Sequence, residues 1–315
     1  SYRVYKDERV VVSGAEPVTD WREEENNLYS ALMNWDLNNK NQVFIDGEMM
    51  EEARWPNQNP SDPVPRKTSG HNENLPVYLT PAYENGTLMQ PTLSFAKAGT
   101  DADHIVDTDL PFQTHSIIGA GVYLLPGHHW VADTGQVADY DPDEKKITLK
   151  GNDVSDSPYY ALTENNGYYL YGKKEFLDTD GEWWYDEAGG RLYLYSTFGS
   201  PEGVEAKKRD TVIDLSGKQY IQVSGIDTIA GRVVTDENTE NCLLEQMNME
   251  YVYHSISRYE QQEAGILLCG RLNEIRNSEI YHSSGSVITI KGNANRVVNN
   301  YIHYGGYVPD WNEMV

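Results

Sequence analysis

The sequence predicts an all-β fold, part of it a stack of repeated coils. The evidence is a repeat of about 22 residues near the C-terminus and a turn-rich, strand-rich stretch before it that lacks this period. The repeat is visible when YIQVSGID from Tyr220, LLEQMNME from Leu243, EIRNSEIY from Glu274 and RVVNNYIH from Arg296 are aligned. Each contains two apolar residues five positions apart: Ile221/Ile226, Leu244/Met249, Ile275/Ile280 and Val297/Ile302. The first members lie 23, 31 and 22 residues apart, so one coil carries an eight- or nine-residue insertion. Polar turns precede the units, and β-rich runs (GILLCG, SVITIKG) precede the later two. Short strands with Gly/Asn turns at such a period mark a β-solenoid, in which each coil buries its apolar face against the next. Leucine-rich repeats share the length, but they need several leucines per unit, whereas the inward positions here are mostly Ile and Val, which suit strands. Asn277 and Asn299 recur at one position in consecutive coils, as stacked turn amides do. A β-sandwich with accidental self-similarity is the competing reading. The solenoid places Ile221, Leu244, Ile275 and Val297 in one inward ladder.

The elements follow in order. YRVYKDERVVVSGAEPV gives one or two strands, with Val10–Val12 apolar and Ser13-Gly14 ending the run. Residues 1–18 are therefore assigned to the first strands of the solenoid. Residues 19–208 lose the period and read as a mostly antiparallel, inserted β module. Its strands are Asn41–Ile45, Gly121–Leu125, Lys146–Leu149, Tyr168–Tyr171, Trp183–Tyr185 and Leu192–Tyr195, bounded by turns such as Asp46-Gly47 and Gly189-Gly190. Glu23–Leu32 has some helical character, and residues 56–115 read as long Pro/Asn/Asp/Gly-rich loops. Residues 209–315 are the remaining coils.

Asp and Glu number 49 against 25 Lys and Arg, a formal charge of −24. The excess is spread over the chain, which disfavours nucleic acid and anionic membrane as partners. No apolar run approaches membrane-spanning length. Tyr 23 and Trp 7 against Phe 5 favours rings with a polar edge, which suit half-exposed strands and also stack on sugars. Cys242 and Cys269 fall at different coil positions and are expected as free buried thiols; no Cys/His metal spacing occurs.

The stretch NQVFIDGEMMEEARWPN (Asn41–Asn57), then LDTDGEWWYDEAGGRLYLYS (Leu177–Ser196), then NxIxNxxI-type coils resembles a large group of secreted bacterial right-handed parallel β-helix proteins. In that group a β-sandwich-like module interrupts the helix. It includes glycoside hydrolases such as the β-helix β-xylosidases and grades into polysaccharide lyases. The resemblance implies a secreted or cell-surface protein acting on a polysaccharide or oligosaccharide. Fold does not fix the reaction, so hydrolase, lyase and a non-catalytic rod or filament stay open. Members of the group continue for many more coils. This chain begins at Ser1 and runs out after its fourth coil, so it is expected to be a fragment, with end-to-end association as one use of an open coil end.

Hydrolases of the group use paired carboxylates along a groove on one face of the helix. The positional candidates are Glu260 and Glu263 in the insertion SRYEQQE, and Asp310 and Glu313 in PDWNE. Arg258, His282, His303 and Trp311 are the candidate substrate-binding residues. His282 and His303 fall close together on adjacent coils and suit either a sugar groove or hydrogen bonds to turn carbonyls. No cofactor is implied. Asp178–Glu182 has the oxygen-rich look of a calcium loop but lacks the full pattern, and is read as a structural turn. Arg54 beside Trp55 reads as an arginine packed on an indole. Lyases need cations to neutralise a uronate, and the coil region has few, which favours hydrolysis of a neutral glycan.

Overall fold

The computed structural model describes residues 1–6, 8–57, 82–84, 87–89, 92–127, 132–152, 154, 159–257 and 264–306. It is all-β apart from three one-turn 3-10 segments, and three of its sheets are wholly parallel. Among the described residues no helix is long and apolar enough to cross a membrane. The described residues divide into two compact units, one within 1–18, 35–47 and 203–306, the other within 19–34 and 48–202. Residues 35–47 thus join the first unit, although they lie inside the stretch assigned from sequence to the insertion.

In the first unit each round of chain adds one strand to each of three parallel sheets. The first sheet orders Tyr2–Arg3, Gln222–Ser224, Leu243–Glu245, Glu274–Arg276 and Arg296–Val298. The second orders Val10–Ser13, Ile226–Ile229, Asn248–Tyr253, Glu279–Ser283 and Tyr301–Gly305. The third orders Thr211–Asp214, Arg232–Val234, Ile266–Leu268 and Ile288–Ile290. The first round therefore starts at the N-terminus and is completed only at residue 211. Gly14 marks the interruption: its carbonyl accepts from the amides of Lys208 and Arg209 at 2.8 and 3.0 Å, and a Cβ there would lie 2.1 Å from the Ala230 carbonyl oxygen. Only glycine permits that approach.

The inward ladder of the first sheet is Val223, Leu244, Ile275 and Val297. Ile221, expected in that ladder, lies just before the strand and packs half-buried on the same core. The second-sheet ladder is likewise Thr228, Met249, Ile280 and Ile302, with Ile226 paired instead to Val10. Val223 and Thr228 are also five apart, so the true pair has the expected spacing. The sequence alignment settled two residues early because Thr228 is polar, and a slip of two keeps the same face of a strand. Leu244, Met249, Ile266, Ile275 and Ile280 are each at most 2% exposed, and each stabilises by about 1.5–3 kcal/mol on burial.

The turn from first to second sheet holds Gly225, Gln246, Asn277 and Asn299, all at positive φ. Asn299 Nδ2 donates to Asn277 Oδ1 at 2.7 Å, so the turn amides do stack. A buried asparagine works at the preceding corner. Asn273 accepts from the Cys242 amide at 2.9 Å and donates to the carbonyls of Thr239 and Cys269 at 3.0 and 2.7 Å. Both cysteines are free; Cys242 is buried and Cys269 half-buried.

The second unit is largely antiparallel. Gly121–Leu125 pairs with Asp133–Asp141 and Gly167–Tyr171, and the sheet extends on both sides. Glu182–Asp186 and Arg191–Tyr195 form a hairpin continued by Leu28–Leu32. Its core includes Ile105, Val122, Leu124, Val137, Ile147, Tyr168 and Leu170, with Trp184 and Tyr193 packed against it. Glu23–Leu32 is not helical. Arg22–Glu25 and Leu28–Leu32 are antiparallel strands, and Asn27, at φ 62°, makes the turn between them. Residues 22–25 are exposed and charged while 28–31 are buried, a pattern that suits an edge hairpin. Arg54 stacks on Tyr169, 3.8 Å from the ring centre, whereas Trp55, the ring expected beneath it, packs on Phe112 and Tyr168.

Candidate functional site

Alternation along the second sheet of the coil unit decides which side chains reach its outer face. Met249 and Ile280 point into the core, so Asn248 and Glu250, Glu279 and Tyr281, and Tyr301 and His303 point outward. They form two columns across successive rounds: Asn248, Glu279, Tyr301 and Glu250, Tyr281, His303. The rings of Tyr281 and His303 stack at 4.8 Å and 6°, and Tyr301 stacks on His303 at 4.2 Å. His303 Nε2 lies 3.0 Å from Glu279 Oε1, bridging the two columns. Burial raises the Tyr281 phenol to about 12, and the Glu250 carboxylate adds to the effect; the side chains of Asn248 and Glu250 both reach its hydroxyl. The phenol is therefore a neutral hydrogen-bonding group at any ordinary pH.

Each strand then bends. Ala230, Tyr251, His282 and Tyr304 occupy corresponding positions, all at positive φ. This conformation costs a bulky residue about 1 kcal/mol or more. Ring stacking offsets the cost: His282 lies between Tyr251 at 4.5 Å and Tyr304 at 5.1 Å. Phe44 closes the column edge-on to Tyr251 at 5.1 Å. His282 Nδ1 reaches Glu250 Oε1 at 3.3 Å. Glu279–His303 is thus a hydrogen-bonded carboxylate–imidazole pair joining neighbouring rounds, whereas the buried His282 approaches Glu250 without hydrogen-bond geometry at Nδ1. Side-chain exposures of 28% for Glu250 and 46% for Glu279 leave both carboxylates open to a ligand.

Of the residues selected from sequence, His282 and His303 are brought to this one face, where they meet carboxylates. Arg258, Glu260, Glu263, Asp310, Trp311 and Glu313 lie outside the described residues. Glu250, Glu279, Tyr281 and Tyr301 were missed. Their signal was present: each flanks the second apolar residue of its repeat, the outward position when that residue points in. The oxygens of the 178–182 turn are engaged by protein donors. Asp178 accepts from Asn57 at 2.8 Å, Asp180 from the Thr197 hydroxyl at 2.6 Å, and Glu182 from backbone amides. Among the described residues no group of three or more His, Cys, Asp or Glu is arranged to hold a metal ion.

No family model matches the chain, and no curated protein matches it. Among solved structures, one named "Glycoside hydrolase" aligns over 96% of this chain and 60% of its own length, with 12% identity and a TM-score of 0.49. The chain therefore spans about three fifths of that structure, and a likeness of this degree carries no argument about activity.

Proposed function

We propose that the coil unit is a right-handed parallel β-helix and that the protein is a secreted or cell-surface, carbohydrate-active protein. On this reading it acts on a neutral glycan at the outer face of the second sheet, with Glu250 and Glu279 as the hydrolytic carboxylates. The observation that carries the reading is the placement of two solvent-open carboxylates among the stacked rings of Tyr281, Tyr301 and His303. Sugar rings stack on such rings through their C–H faces, and carboxylates both accept from hydroxyls and perform acid–base work on a glycosidic bond. Glu250 and Glu279 stand on adjacent parallel strands, offset by two residues. A polyuronate fits less well, because Asp227, Glu250 and Glu279 share the face and would repel it.

The test is reducing-end release from a panel of neutral polysaccharides, with the anomer of the first product followed by NMR. Glu250→Gln and Glu279→Gln are each expected to lower turnover by two orders of magnitude or more while the fold is retained. Turnover unchanged in both variants removes the carboxylates from the reaction. Binding without turnover in the parent protein leaves a glycan-binding face and removes the hydrolase.

A further inference from the structure

On the ring face one imidazole is held in a single orientation, and its two nitrogens meet different surroundings. His303 pairs in register with Tyr281, and Tyr301 with Glu279, so the imidazole reaches Glu279 on the diagonal between neighbouring rounds. Tyr281 stacks on the imidazole at 4.8 Å, Tyr301 at 4.2 Å, and Tyr304 meets it edge-on at 4.4 Å. These ring contacts oppose tilting or flipping of the imidazole. Nε2 lies 3.0 Å from Glu279 Oε1, whereas Nδ1 is buried and has no hydrogen-bond partner among the described residues. With the proton on Nδ1, a buried donor would lack an acceptor and the Nε2 lone pair would face a carboxylate oxygen. With the proton on Nε2, the imidazole donates to Glu279, whose carboxylate only accepts. The second arrangement satisfies both groups, and burial makes the first one costly. The His303 side chain is 17% exposed against 46% for Glu279, so a shielded donor holds an open carboxylate.

We propose that His303 is a positioning residue for Glu279: its Nε2–H fixes Oε1, so that Oε2 is the oxygen presented to the glycan. The role rests on the hydrolase reading of this face and adds to it the group that aims one of the two carboxylates. A glutamate on an open strand face samples several rotamers, and a substrate would have to order it at a cost in entropy. A hydrogen bond to a ring already locked by its neighbours supplies that order in advance. Reaction geometry is sensitive to such placement, since an error of about 1 Å costs about 100-fold in rate.

Two substitutions separate the N–H from the ring. His303→Phe keeps a stacking ring and removes the donor, whereas His303→Gln removes the ring and places an amide N–H near the position of Nε2. On a neutral polysaccharide that the parent protein cleaves, His303→Phe should lower kcat about 100-fold while KM changes by about twofold or less. His303→Gln should stay within about tenfold of the parent kcat. Turnover equal to the parent's in His303→Phe, or equal losses in the two variants, overturns the proposal. Failure of the hydrolase reading shows differently, as unchanged turnover in Glu279→Gln, and takes this role with it. Nitrogen-15 NMR of the imidazole in the parent protein gives a readout free of turnover, and it decides the case in which a variant does not fold. A proton on Nε2 with a bare Nδ1 supports the proposal, and a proton on Nδ1 overturns it.

Discussion

Glu182 shows how burial sets a single residue's chemistry. It is 3% exposed, and its carboxylate accepts from the amides of Arg54, Asp178 and Thr179 at 3.2–3.3 Å. Burial lifts it to about 7, outweighing the amides that favour the anion. The folded value lies above the unfolded one, so its stabilising contribution is complete below about pH 4.5 and is lost as pH rises through 7. Glu182→Gln keeps the acceptor without the charge. The melting temperature of the parent protein should therefore fall more steeply between pH 5 and pH 8 than that of the variant, and parallel curves would contradict the burial argument. Asn273 sets the corresponding expectation for a neutral group. Asn273→Ala leaves the buried Cys242 amide without its acceptor, while the Thr239 and Cys269 carbonyls keep donors in the Arg271 amide and Asn295, and should cost about 1–3 kcal/mol in urea unfolding. The exposed Asn299→Ala should cost about 1 kcal/mol or less.

At the scale of the element, the strands were legible because alternation and turn residues coincide. Gly121–Leu125, Lys146–Lys150, Gly167–Tyr171 and Arg191–Tyr195 all fall where apolar runs meet Gly, Pro or Asp turns. Glu23–Leu32 was misread because helix-forming side chains outvoted Asn27, whose left-handed backbone makes the turn. The ladder start was misread because a polar residue, Thr228, occupies an inward position. The corrected register can be measured. Leu244→Ala and Ile275→Ala should each cost about 2–5 kcal/mol, whereas Ile221→Ala, at a half-buried site ahead of the strand, should cost clearly less. An Ile221→Ala cost equal to that of Ile275→Ala would restore the earlier register.

For the whole molecule, the pairing that closes the first round is far from local: Tyr2 pairs with Val223 and Val10 with Ile226. Such contacts require long loops to close before they stabilise anything, so refolding followed by tryptophan fluorescence should extend to seconds or longer. Complete recovery within milliseconds would show that the first round is not formed by the N-terminal strands. The sequence by itself determined the all-β class, the repeat and its insertion, and the two histidines of the ring face, because these depend on periodicity and turn chemistry that neighbours in the chain carry. Tertiary structure decided the rest. Stacking of rounds chose Val223 over Ile221 and put Glu250 beside His282 and Glu279 beside His303. It also brought Lys40, Lys207 and Arg232 around Asp210. Those groups lie tens to hundreds of residues apart, and only the strand register between rounds gives them a common place.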